Sequence, residues 1–177
     1  MYKLIATLLL ISPSLRNYVM RSAYSKPYFH LHGYMYRWWV TPRFLLTEDE
    51  NGNLCPYSWV PKVLRCRLHH IVREDAGRSL HNHPCDNVSI VLSGWYSEKS
   101  LSSESSTRGM LDEYMYDVAL PFQVVKRNAK DYHSIVDVSN DGVFSLWFMG
   151  KKVNEWGFLV GGEHIDHKNY FIGVDNA

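Results

Sequence analysis

Hydrophobic and polar positions divide the chain near residue 26. Leu4 to Ile11 is apolar on every side, a pattern that predicts a buried helix more than one laid on a solvated surface. Ser12-Pro13 then supplies an N-cap and a proline at the first helical position, and Leu15, Tyr18 and Val19 give the next turns an apolar stripe. Residues 1–26 are therefore expected to form a helical arm of two short helices on a body formed by residues 27–177, all in one domain. In the body the period shortens to two. Val63–Val72, Val88–Leu92, Trp95–Glu98, Leu111–Val118, Phe122–Lys126, His133–Val138 and Val143–Met149 read as strands, separated by Gly, Pro, Asn and Asp turn signals.

Several connections can be read as well. Asn140-Asp141-Gly142 lies between two apolar runs and predicts a hairpin. Gly33 interrupts the aromatic run Tyr28–Val40, which predicts a loop and short strand plugging one barrel end. Residues 47–58 and 74–78 read as turns, and the serine-rich stretch Ser100–Gly109 as a flexible loop. Within Val63–Val72, Leu64, Cys66, Leu68, His70 and Val72 share one parity. Arg65, Arg67, His69 and Ile71 share the other. Taking the more apolar set as interior points His70 inward and His69 outward. Short strands, close turn signals and little helix after residue 25 predict an all-β barrel or sandwich.

Composition and charge narrow the classes. A chain of 177 residues suits one domain with a proper core. Three cysteines, an odd number, argue against a disulfide framework and for a reducing compartment, so a cytoplasmic location is expected. No apolar run approaches the roughly 20 residues that cross a bilayer. Residues 1–47 hold six basic side chains (Lys3, Arg16, Arg21, Lys26, Arg37, Arg43) and no acidic one. Such an arm suits an anionic partner, an acidic neighbouring subunit or a targeting role, although simple packing on the body needs none of these. Basic residues form no long stripe elsewhere, which gives no support to a nucleic-acid partner. Phosphate-loop, dinucleotide and Gly-x-Ser-x-Gly motifs are missing, and no internal repeat is visible.

Chemistry concentrates in His81-Asn-His83. On a strand, residues two apart share a face with Cα atoms roughly 6.5–7 Å apart. Two imidazoles there can converge on one ion about 2.0–2.1 Å from each nitrogen. The nearest following carboxylate is Asp86. Asn87 and Ser89 share the parity of the histidines and are expected to line a substrate cavity. His133, on a later strand, is a third candidate ligand. Tyr132 and Lys151 are candidates for a substrate-facing hydroxyl and an anion-binding amine. Two other histidine pairs carry less. His30-Leu31-His32 has no carboxylate or cysteine close by, and His164-x-x-His167 follows Gly161-Gly162, which suggests a loop covering the barrel mouth. Cys85, in a turn beside Pro84, reads as a small apolar filler.

The order of a glycine turn, His81-x-His83, an acidic residue and Gly94 resembles the first motif of the cupin superfamily. The position that is usually glutamate, four past the second histidine, is Asn87 here, with Asp86 one place early. His133 resembles the single histidine of the second cupin motif. Leu80–Asp86, Gly33–Trp39, His133 and Gly150–Phe158 together are similar to a group of small cupins of bacteria and phages that has no established reaction. The resemblance implies an RmlC-like jelly roll, a cupin double-stranded β-helix, with His81, His83 and His133 around one divalent first-row metal and Asp86 either the fourth ligand or hydrogen-bonded to one of the imidazoles. Imidazole and carboxylate donors suit Fe2+ first, then Mn2+, Ni2+ or Zn2+. The expected function is a non-haem iron(II)-type oxygenase acting on a small molecule, with Tyr132 or Asp86 as candidate catalytic groups. An isomerase or lyase and a non-catalytic ligand binder remain as alternatives. Exposed sheet edges and the aromatic segment Tyr28–Val40 lead to an expected homodimer.

Overall fold

The computed structural model describes residues 1–75, 79–101 and 114–175. The predicted turn at residues 74–78 and the predicted loop Ser100–Gly109 fall largely on residues 76–78 and 102–113, outside the described ones. The N-terminal arm is helical, as its pattern indicates: α1 spans Tyr2–Ile11 and α2 Pro13–Tyr24. Ser12 caps α2, its side-chain oxygen accepting from the Leu15 N–H at 3.3 Å, with Pro13 at the first position. Helix α1 is buried on one side only. Ala6 and Leu9 are buried while Leu4, Leu10 and Ile11 stay exposed, because the helix lies on the body and is not enclosed by it.

Twelve strands follow: β1 Met35–Trp39, β2 Leu46–Glu48, β3 Leu54–Pro56, β4 Cys66–Ile71, β5 Asn87–Ser93, β6 Tyr96–Leu101, β7 Tyr114–Ala119, β8 Val124–Arg127, β9 His133–Val138, β10 Val143–Met149, β11 Gly157–Val160 and β12 Glu163–Asp166. One layer is a five-stranded antiparallel sheet in the order β1-β4-β10-β5-β8. The opposite layer is β7-β6-β9, extended by His81, which bridges to His133 on one side and to Phe158 of β11 on the other. Setting aside the edge strand β1, the chain visits the layers in the orders β4-β10-β5-β8 and His81-β9-β6-β7. This interleaving of two Greek keys is a jelly roll, the all-β architecture that the cupin resemblance implies. The layers face each other as an open sandwich and not as the closed barrel expected, because among the described residues no ladder joins β1 or β8 to the opposite layer.

The predicted hairpin at Asn140-Asp141-Gly142 is a turn but not a hairpin. Gly142 takes φ +73° and its N–H reaches Ser139 O at 2.7 Å, yet β9 pairs with β6 whereas β10 pairs with β4 and β5. Here the turn carries the chain across from one layer to the other. The interior of the connection 47–58 forms a small hairpin, β2–β3, around Asp49. Gly161-Gly162 turns a second hairpin, β11–β12, and His167–Asp175 forms α3, a helix that the glycine pair had obscured.

Burial also reverses the expected parity of β4. Cys66 and Leu68 face the helical arm, in one core with Ala6, Leu9, Ala23, Ile90, Leu146 and Phe148. Arg67, His69 and Ile71 face the space between the layers. His70 lies on the arm-side face, stacked on Phe144 with ring centroids 4.0 Å apart. With α1 and α2 covering the outer face, the apolar parity belongs there and the polar parity turns inward. A second, smaller core (Tyr34, Val91, Tyr96, Ala119, Ile135, Val143) closes one end between the layers.

Candidate metal centre

A cavity of about 720 Å³ lies between the layers. On its floor His81, His83 and His133 bring one ring nitrogen each to within 4.8 Å of one another. Local backbone geometry accounts for this. His81 and His133 exchange both N–H···O=C bonds, at 2.8 and 3.0 Å, so they sit opposite each other across a narrow antiparallel pair. His83, two residues on, shares the face of His81. Asn82 points the other way and is fully buried, its side-chain oxygen accepting from Gly157 N–H at 2.8 Å. That bond ties the His-x-His segment to β11.

Carboxylates lie behind two of the rings, and one of them sets a tautomer. Glu98 on β6 holds one oxygen 3.0 Å from His133 Nδ1, which places the proton on Nδ1 and leaves the Nε2 lone pair facing the cluster. The same oxygen accepts from the Arg127 guanidinium, and Arg127 also donates to Tyr96 OH at 3.0 Å. Behind His81, Asp75 lies 3.7 Å from Nδ1. Asp75 is itself fixed by the Ile135 N–H at 2.7 Å and by the Tyr34 hydroxyl. Burial holds His83 well below its ordinary pKa, reinforced by His133 and His81. Burial and then Arg127 and His81 do the same to His133. Both rings are therefore neutral near pH 7, the form a metal requires.

The donor set fits a metal ion. His83 Nε2 and His133 Nε2 are 2.9 Å apart, close to the roughly 3.0 Å separating two adjacent ligands at right angles and about 2.1 Å from a shared ion. Three imidazoles, His83 and His133 kept neutral by burial and His133 oriented by Glu98, form the pattern of a ligand shell held from behind.

The other predicted site residues are distributed differently. Asp86 is exposed and its carboxylate accepts from the Ala129 N–H at 2.9 Å; it caps a turn and lies outside the histidine group, which corrects its assignment as a fourth ligand. It immediately precedes Asn87, the first residue of β5, and is exposed where Asn87 is buried. Ser89 lines the cavity. Asn87 is buried on the same strand face, its amide nitrogen 3.4 Å from Cys85 O, but does not line the cavity wall. Tyr132 is turned away, its hydroxyl 2.7 Å from His164 Nδ1, and Lys151 is exposed outside the cavity. His164 and His167 diverge, the second stacking on Trp156 at 4.6 Å. His30 Nδ1 accepts from Arg37 N–H at 3.0 Å. Glu98, Asp75, Arg67 and His69 were not singled out from the sequence; an acid on a strand has no local signal that it will meet a histidine brought in by another strand.

No family model matches the chain, and no curated protein does. Among solved structures, a single-residue variant of Bacillus subtilis oxalate decarboxylase is similar at 11% identity with TM-score 0.48, over 77% of this chain and 31% of that one. Another structure of that enzyme, concerned with its Mn(II) centres, gives 13% identity and TM-score 0.48 over 84% and 32%. A recombinant oxalate oxidase in complex with glycolate gives 14% and 0.41 over 54% and 48%. The chain spans about a third of the length of the decarboxylases it matches. At such identities the likeness concerns shape alone, and the strand order described above is what makes this chain a jelly roll.

Proposed function

We propose that the chain binds one divalent first-row metal through His81, His83 and His133 and uses it on a small molecule held in the cavity, most simply as an iron(II)-type oxygenase. The observation that carries the reading is the convergence of three imidazoles with Glu98 and Asp75 behind two of them. Three protein ligands leave open positions, and a metal so held supplies Lewis acidity or, as iron(II), a site for oxygen. The protein's own groups do the rest. Glu98 and Arg127 fix the His133 proton away from the cluster. Trp147 and Phe158, with ring centroids 5.9 Å from His83 and 6.2 Å from His81, flank the floor with apolar surface.

Elemental analysis of protein purified without chelator, followed by anaerobic titration with Fe2+ and Mn2+, tests this. A stoichiometry near one is expected, with at least 100-fold weaker binding in His83→Ala and an unchanged fold. Equal binding by that variant would reject the site. Oxygen uptake by the iron form then separates an oxygenase from an isomerase or lyase.

A second reading, a metal-free ligand binder, is favoured by the His83–His133 hydrogen bond, which satisfies both rings without an ion. Three free cysteines support placement in a reducing, cytoplasmic compartment. Among the described residues no helix is long and apolar enough to cross a membrane. The exposed Tyr116 and Val118 on the edge strand β7 support a homodimer, which light scattering at micromolar concentration tests against a 20.7 kDa monomer.

A further inference from the structure

The cavity wall beside the histidines holds a buried cation with no carboxylate partner among the described residues. Arg67 is 7% exposed and its Nε has no hydrogen-bond partner. The surroundings are rings: its guanidinium carbon lies 4.4 Å from the centre of Tyr28, 4.7 Å from Trp147 and 5.0 Å from Trp39. Nη2 donates to the sulfur of Met149 at 3.3 Å, and the Tyr28 hydroxyl is a further hydrogen-bonding neighbour of the guanidinium, which leaves Nε as the unpartnered atom. The Arg37 guanidinium carbon lies over the same Tyr28 ring, 5.0 Å from its centre. Two guanidiniums thus share one aromatic ring in a desolvated wall, an arrangement that repels itself unless an anion enters. Burial pulls the Arg67 pKa down to about 10, which marks the same discomfort.

His69, on the same face of β4, adds a second orphan. It is buried, its Nε2 has no partner, and it stacks on Trp147 at 5.4 Å. Trp147 also lies beside His83, so one indole joins the orphaned polar atoms to the histidine cluster. Arg67, Arg37, Arg73 and Arg127 all line the cavity, and only Arg127 has a carboxylate ion-pair partner among the described residues. Asp75 is already occupied by Tyr34, Ile135 N–H and His81.

We infer that Arg67 anchors a carboxylate subsite, with His69 as its second donor, and that the ligand of the cavity is a small monocarboxylate carrying a planar apolar body. A forked guanidinium offers two parallel N–H bonds to the two oxygens of a carboxylate. Tyr28, Trp147, Trp156 and Phe158 all line the same space, an aromatic surround that suits a ring or conjugated plane. A volume of about 720 Å³ admits such a molecule in full. Placing the ligand's other end at the histidines rests on the metal reading above; the affinity of Arg67 for the carboxylate does not.

Calorimetric titration with benzoate, its uncharged analogue benzamide, and phenyl phosphate tests this in low-chloride buffer, on the full chain loaded with Mn2+ and again after chelation. Benzoate is expected to bind at least 10-fold more tightly than benzamide in both states. In Arg67→Met benzoate affinity should fall at least 10-fold while Mn2+ affinity changes less than twofold, with Arg67→Lys intermediate. If Arg67→Met does not fold, the benzoate–benzamide ratio in the unaltered chain decides. Equal binding of the two, or no benzoate binding by Mn2+-loaded protein, overturns the subsite and leaves the metal centre standing. Tighter binding of phenyl phosphate than benzoate overturns the carboxylate assignment. Benzoate selectivity in a chain that binds no Mn2+ upholds the subsite and rejects the metal centre.

Discussion

The two faces of the sheet β1-β4-β10-β5-β8 are built from alternate residues of the same strands, yet they do opposite work. The arm-side face presents Leu68, Ile90, Leu146 and Phe148, all buried under α1 and α2. The cavity side presents Arg67, His69, Ser89, Ser145 and Trp147, equally shielded from solvent but polar or polarisable. Side-chain alternation makes this division possible within one strand. Cohesion comes from the first face, through apolar area removed from water. The second can then tolerate groups that cost stability, among them the unpartnered Arg67 Nε and His69 Nε2.

Breaking the arm-side face should give the largest effect. Leu68→Ala empties a site that is 0% exposed, so a loss of about 2–5 kcal/mol is expected in urea unfolding. Metal affinity should stay within twofold, and a large fall in it would show that the faces are not independent. On the cavity side, Glu98→Ala removes the acceptor that orients His133. Metal affinity should drop by about 10–100-fold, the usual consequence of losing a partner behind a ligand, measurable by calorimetry.

The faces should also differ in their response to acid. His69, His83 and His133 have folded pKa values depressed by burial, so below the unfolded value near 6.5 the unfolded chain binds more protons. Their contribution is complete above about pH 6.5 and is lost as the pH falls towards the depressed folded values. Each such group adds a slope approaching roughly 1.4 kcal/mol per pH unit. Unfolding midpoints of the metal-free protein between pH 7 and 5.5 measure it, and His69→Gln should remove one share. The smallest effect belongs to Asp86→Ala, which deletes the acceptor for Ala129 N–H. About 1 kcal/mol of stability should go with metal affinity unchanged; a lost metal would restore Asp86 to the ligand set.

Sequence patterning exposed this division only in part. The helical arm, the strands and the His81-x-His83 pair are local features, set by capping, period and spacing, and each could be read directly. Which parity of β4 faces the cavity was not local. Cys66 and Leu68 are the more apolar set, and nothing near them in sequence says that two helices from residues 2–24 cover that side. His69 and His70 were exchanged for the same reason. Asp141-Gly142 announces a turn, but a turn cannot say whether the next strand pairs with the last or crosses to the other layer. Glu98 and Asp75 become meaningful only when β6 and β9 lie side by side and Ile135 N–H meets Asp75.

The mutual backbone bonds of His81 and His133 also bear on when the site comes into being. The two residues are far apart along the chain and their pairing closes across the interleaved strands β5 to β8. Contacts of that kind carry a large loop-closure cost and form late, after nearer pairings have been rewarded. A refolding chain should thus acquire its sheets before it has any place for an ion, and added Mn2+ should leave the folding rate unaltered while slowing unfolding. The metal would arrive as a latch on a finished structure and not as a template for building it.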